Sequence, residues 1–136
     1  MTLEYATPPA PKPSKAMLWT GRVLSAIPVL MMGVMGLVIF FTKPEMMKEG
    51  MTKYGFPENV AKPIFFVEMA CVVLYVIPQT AVLGAILLTG YLGGAVCTHV
   101  RAGEPFIFPL VFGVIVWLGL WFRDARVREL APFRKL

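Results

Sequence analysis

The chain has 136 residues, of which 57% are hydrophobic and only 15% charged, and its mean hydropathy is +0.70. A soluble domain of this size needs a larger polar shell than that, so water is excluded as the solvent of most of the chain. The formal charge is +5, but the basic residues lie between and beyond apolar stretches rather than in a patch interleaved with aromatics, which argues against nucleic-acid binding and assigns them to membrane topology.

A tail carrying Pro8, Pro9, Pro11 and Pro13 comes first and has extended, polyproline-like character. Four apolar stretches follow, roughly Met17 to Phe41, Val60 to Ile77, Ala81 to Thr98 and Phe106 to Phe122. The first is too long for a signal-peptide core and precedes no small-x-small cleavage pattern, so it is expected to be a retained helix. Pro28 is expected to kink it, with Ser25 partly compensating for the lost backbone bond. Between the first two stretches, Thr42 to Lys62 mixes lysines and glutamates with Met46, Met47, Met51, Tyr54 and Phe56. The three methionines fall on one side of a helix, which suits a segment lying on the membrane surface; an ordinary amphipathic connector fits equally, and Gly50, Gly55 and Pro57 work against a long helix here.

Pro78, Gln79 and Thr80 leave room only for a tight antiparallel hairpin between the second and third helices. The fourth stretch is short and is anchored by Trp117, Trp121, Arg123, Arg126 and Arg128. The expected fold is therefore all-α, a transmembrane four-helix bundle: a Pro-rich tail over 1–16, a membrane domain over 17–132 and a basic end over 133–136. An even number of passes puts both termini on one side, and eight basic residues there against five on the other predict that this side is cytoplasmic.

An ionisable residue inside a span is the first place to look for function. Glu68 lies six residues after Lys62, roughly 9 Å along its helix, and the antiparallel third helix brings His99 and Arg101 to the same half of the bilayer. A carboxylate there needs a partner, and spacing leaves open whether Arg101 or His99 supplies it. Gly90, Gly94, Cys97 and Arg101 share one helical stripe while Tyr91, Ala95 and His99 lie well away from its centre. Gly90 and Gly94 form a small-xxx-small pair, so this stripe is expected to pack inward against another helix. The functional expectation is a polar pocket of Glu68, His99 and Arg101, with Phe65, Phe66, Tyr75 and Tyr91 covering the body of a small amphipathic ligand; the alternative is an ion pair that staples two helices.

Cys71 and Cys97 differ in depth and form no C-x-x-C pair, so they are expected to be buried packing residues rather than a redox dithiol. One histidine without a suitable second ligand argues against a metal site. No G-x-S-x-G, P-loop or dinucleotide fingerprint is present.

The run from Gly90 through Gly94, Cys97, His99 and Arg101 to Gly103 resembles the DoxX-like family of small four-helix membrane proteins. Arg22 at the head of the first helix, the Tyr54-Gly55-Phe56-Pro57 turn, Glu68, the Ile77-Pro78 break and the ending from Trp117 to Arg128 are similar to that family too, extending the likeness over about residues 17 to 132. The resemblance implies a membrane bundle in the bacterial cytoplasmic membrane whose polar signature falls on Glu68, His99 and Arg101. It also implies either a component linked to a quinone or lipid, or a non-enzymatic accessory or assembly subunit that packs against other membrane proteins or against copies of itself. Stand-alone catalysis ranks third, as acid–base work by a Glu and His pair.

Overall fold

The computed structural model describes residues 11–130, which leaves most of the Pro-rich tail and the basic C-terminal end outside the described residues. Among the described residues every regular element is helical. The first rod runs from Lys15 to Thr42 and is made of α1 (Lys15–Pro28), a π-helical segment (Val29–Val34) and α2 (Met35–Thr42). It begins within the segment read as tail, because Ser14 caps it by accepting a bond from the Met17 backbone at 3.3 Å. Where Pro28 removes a donor, the backbone widens into the π segment; Ser25 does not compensate, since its hydroxyl is turned to Tyr75 instead.

A surface helix, α3 (Pro44–Lys53), follows at once, with Pro44 at the position where a missing N–H costs nothing. It tolerates Gly50 and stops before Gly55, whose φ of +77° suits glycine, and Pro57. A single 3-10 turn (Glu58–Val60) leads into α4 (Ala61–Val76), and the expected hairpin at Pro78, Gln79 and Thr80 leads into α5 (Ala81–Ala102). Thr80 braces that hairpin by donating to the Leu74 carbonyl at 2.8 Å. Gly103, at φ +70°, ends α5 only after Arg101, so the helix is one turn longer than expected. α6 (Ile107–Arg123) and the short α7 (Ala125–Leu130) complete the chain.

Three helical stretches among the described residues are long and apolar enough to cross a membrane: Lys15–Thr42, Glu58–Val76 and Ala81–Ala102; Ile107–Arg123, at 17 residues, is shorter. Their outer faces carry bare apolar side chains, with Phe41 76% and Phe108 67% exposed, which is tolerable only in lipid. α1 packs on α6, α6 on α5, α5 on α4, and α4 closes the ring against the π segment. The start of α1, the α4–α5 hairpin and the end of α6 meet at one end of the bundle, here the hairpin end; α3 and the α5–α6 turn lie at the other, the loop end.

The core is concentrated toward the hairpin end. Tyr75, Ala85, Leu88, Val116 and Leu120 are essentially inaccessible there. α5 meets α4 through Gly84: a Cβ at that position would sit 2.5 Å from the Tyr75 Cα and 2.7 Å from the Leu74 carbonyl carbon, so only glycine permits this approach. The pair expected to do this, Gly90 and Gly94, faces nothing within 4 Å. The reason is rotational: Ala81, Gly84, Ala85, Leu88 and Leu92 form the buried stripe of α5, and Gly90, Gly94, Cys97 and Arg101 lie off it. Cys71 is buried as expected, whereas Cys97 is exposed for the same reason; both are free thiols.

Candidate functional site

Glu68 faces α5 from the middle of α4 and accepts a hydrogen bond from the Tyr91 hydroxyl at 3.1 Å. Neither His99 nor Arg101 joins this pair. Along α5, His99 lies eight residues past Tyr91, about 12 Å at 1.5 Å per residue, and Arg101 lies farther still. Because α5 runs unbroken to Ala102, both are carried beyond the reach of a carboxylate that sits level with Tyr91. The expected trio is thus divided: Glu68 with Tyr91 within the bundle, His99 and Arg101 at the loop end.

The loop-end pair fastens the Tyr54-Gly55-Phe56-Pro57 turn. Arg101 donates through Nη2 to the Tyr54 carbonyl at 2.8 Å and holds its guanidinium 5.2 Å from the centre of the Phe56 ring. His99 Nδ1 faces the Ala95 carbonyl at 2.8 Å; a carbonyl only accepts, so Nδ1 donates, and Nε2 faces the Tyr54 hydroxyl at 3.2 Å. Lys53 Nζ meets Glu104 Oε1 at 2.8 Å, tying the end of α3 to the α5–α6 turn. That partnership raises the Lys53 ammonium above its ordinary value and holds the Glu104 carboxyl below the usual carboxylate range.

The fastened segment roofs a cavity of about 340 Å³ beside the Glu68–Tyr91 pair. Its walls carry Met31, Met32 and Met35 from the first rod and Met46, Met47 and Met51 from α3, six of the nine methionines in the chain. Phe65 closes one side, stacked on Phe40 with ring centroids 4.5 Å apart. Of the four aromatic residues expected to cover a ligand, Phe65 and Tyr91 line the cavity, whereas Phe66 points outward and Tyr75 belongs to the hairpin end. The methionine wall follows from the placement of α3: its three methionines border the hollow beside the π segment and α2, with Met46 also 55% exposed.

A larger hollow of about 680 Å³ opens between α5 and α6, lined by Leu92, Val96, Trp117 and Trp121 among others. It contains no ionisable side chain, and its polar pair is already satisfied, Trp117 Nε1 donating to Thr89 Oγ1 at 2.8 Å. Of these two hollows, the smaller carries the ionisable side chain. Among the described residues no group of three or more His, Cys, Asp or Glu side chains gathers to hold a metal.

At the hairpin end is a polar knot that sequence reasoning missed. Tyr75, fully buried, donates to the Val116 carbonyl at 2.8 Å and shares a 3.0 Å bond with the buried Ser25 hydroxyl. Arg123 donates to the Tyr75 carbonyl at 2.9 Å and lies 4.7 Å from the centre of the Tyr75 ring. The available signal was the spacing of Gly21 and Ser25, four residues apart on one face of α1, which meets α6 where a Cβ on Gly119 would stand 2.5 Å from Ser25 Oγ.

Apolar rods with lipid-facing side chains, closely crossed at one end and enclosing a carboxylate-bearing cavity toward the other, define an all-helical integral membrane protein. The profile of the DoxX-like family matches residues 23–119, which spans α1 to α6 and includes Glu68, Tyr91, His99 and Arg101, and the chain belongs to that family. No curated protein and no solved structure matches it.

Proposed function

We propose that this protein is a membrane component that retains a small amphiphile, of the lipid or quinone class, in the cavity beside Glu68. The observation that carries the reading is the meeting, in one hollow, of a carboxylate and a phenol with a wall of six methionines. Thioether side chains are long, unbranched and polarisable, so they mould to an apolar body, while Glu68 and Tyr91 supply the few convergent polar groups that orient a head. His99 and Arg101 serve this site indirectly, by holding the Tyr54 turn and with it α3, the roof. The reading places four spans in the bacterial cytoplasmic membrane with both termini inside. Purification in mild detergent followed by mass spectrometry tests it: wild type retains an amphiphile that Met47→Trp, which fills the hollow, releases. Repeated absence of any retained amphiphile from wild type overturns it.

A second reading has its own observation. Gly90, Gly93 and Gly94 present an open strip with nothing within 4 Å, the kind of surface on which a helix from another membrane protein, or from a second copy, packs closely. An accessory or assembly role follows from that strip. Gly94→Cys in a Cys97→Ala background, with a bifunctional thiol crosslinker in native membranes, should then trap a discrete adduct; a monomer only counts against this role.

A further inference from the structure

The cavity has an asymmetry of charge that discriminates between amphiphile heads. Its lining contains an acid, Glu68, and no lysine, arginine or histidine. Each basic side chain near its roof is engaged elsewhere or stands outside the wall: Arg101 on the Tyr54 carbonyl, His99 on Tyr54 and Ala95, Lys53 on Glu104, Lys48 on Glu45 at 2.9 Å, Lys62 in an adjoining hollow with Glu58 and Asn59, and Lys43, ahead of α3, exposed and outside the lining. Tyr91 donates one hydrogen bond to Glu68, whereas a carboxylate has about four acceptor sites, so the pair has room for further donors. An acidic head brought into this space meets a carboxyl group and no cation. A protonated amine instead brings opposite charge and several N–H donors, in surroundings where the attraction between opposite charges is stronger than in water. The aromatic rings of Phe65 and Tyr91 on the same wall favour a cation as well.

The geometry points to a receptor site for lipophilic amines, with a protonated nitrogen seated on Glu68 and Tyr91 and the apolar tail lying along the methionine wall. This rests on the amphiphile reading above and narrows its occupant by the chemistry of the head. The test uses the full chain in nanodiscs of zwitterionic lipid, with empty nanodiscs subtracted, and radiolabelled dodecylamine, dodecanol and dodecanoate, which share one tail. The amine should bind roughly tenfold or more tighter than the alcohol, about 1.4 kcal/mol, and the acid should fail to compete. Glu68→Gln should erase the preference for amine over alcohol while leaving alcohol binding in place. Met47→Trp, at a half-buried position on α3 rather than on a helix that carries the polar pair, should abolish binding of both, and it keeps the test decisive if Glu68→Gln folds poorly. Equal binding of acid and amine, or an amine preference that survives in Glu68→Gln, overturns the inference while leaving the amphiphile reading in place. Failure of all three probes to bind overturns both.

Discussion

At the hairpin end of the bundle, α1 and α6, and α4 and α5, approach until backbone touches backbone; at the loop end the first rod and α4 meet through side chains, Phe40 stacked on Phe65, and the methionines border a hollow beside them. Both regions hold hydroxyl-bearing tyrosines, Tyr75 fully and Tyr91 partly buried, but they use them differently. Tyr75 is saturated by Ser25, Val116 and Arg123 and has no space beside it, whereas Tyr91 makes one bond to Glu68 and borders an open volume. Within lipid there is little hydrophobic drive between helices, so association depends on close packing and hydrogen bonds. A bundle whose backbone-to-backbone contacts are gathered at one end can leave room at the other without coming apart, and the proposed ligand would occupy that room.

Substitutions at the two ends should therefore separate stability from binding. The largest effect is expected at Gly84→Ala, where the new methyl would enter the Tyr75 backbone; overpacking of this kind costs about 1–3 kcal/mol or prevents folding, read as lower yield and lower Tm in mild detergent. Gly90→Ala, with nothing within 4 Å, should leave Tm unchanged, and equal losses at both glycines would break the comparison. Next comes Tyr75→Phe, which removes one buried hydroxyl and leaves the Ser25 hydroxyl without that partner, expected to cost about 1–2 kcal/mol in the same measurement.

At the loop end, Met35→Leu replaces a thioether by a hydrocarbon of similar volume and should change stability by less than about 1.5 kcal/mol while weakening retention of an amphiphile measured by mass spectrometry. The smallest effect belongs to the tie between Lys53 and Glu104. Because the folded state holds the Glu104 carboxyl below its ordinary value, the contribution is present at neutral pH and is lost as pH falls through and below the usual carboxylate range. Protease cleavage within the segment from α3 to Pro57 should accordingly rise in wild type only once pH falls to the usual carboxylate range and below, and Glu104→Gln should show the raised rate at neutral pH already.

Much of the architecture could be read from the residues, because a lipid environment leaves few options: apolar length defined the helices, and Pro78-Gln79-Thr80 admitted only a hairpin. The family likeness read from the Gly90 to Gly103 run holds as well. Rotation was less legible. Gly90 and Gly94 had the spacing of a contact pair, yet Gly84 makes the contact, since Ala81, Ala85 and Leu88 beside it set which side of α5 turns inward. Axial reach was less legible too: Tyr91 is the residue that meets Glu68, and His99 lies two turns of helix beyond it, so the expected trio does not gather. The methionine wall needed tertiary information, because Met31, Met32 and Met35 join Met46, Met47 and Met51 only when α3 folds back over the π segment.

The widened turn at Val29–Val34 separates the two tasks along a single rod. A helix rotates about 100° per residue, so gaining or losing one residue within that turn would swing Met35 and everything after it to a new bearing while Gly21 and Ser25 kept theirs. The rod is in effect two half-axles joined by a slip coupling: the shape of the hollow can be re-indexed by a single insertion or deletion, with the anchorage below it left undisturbed.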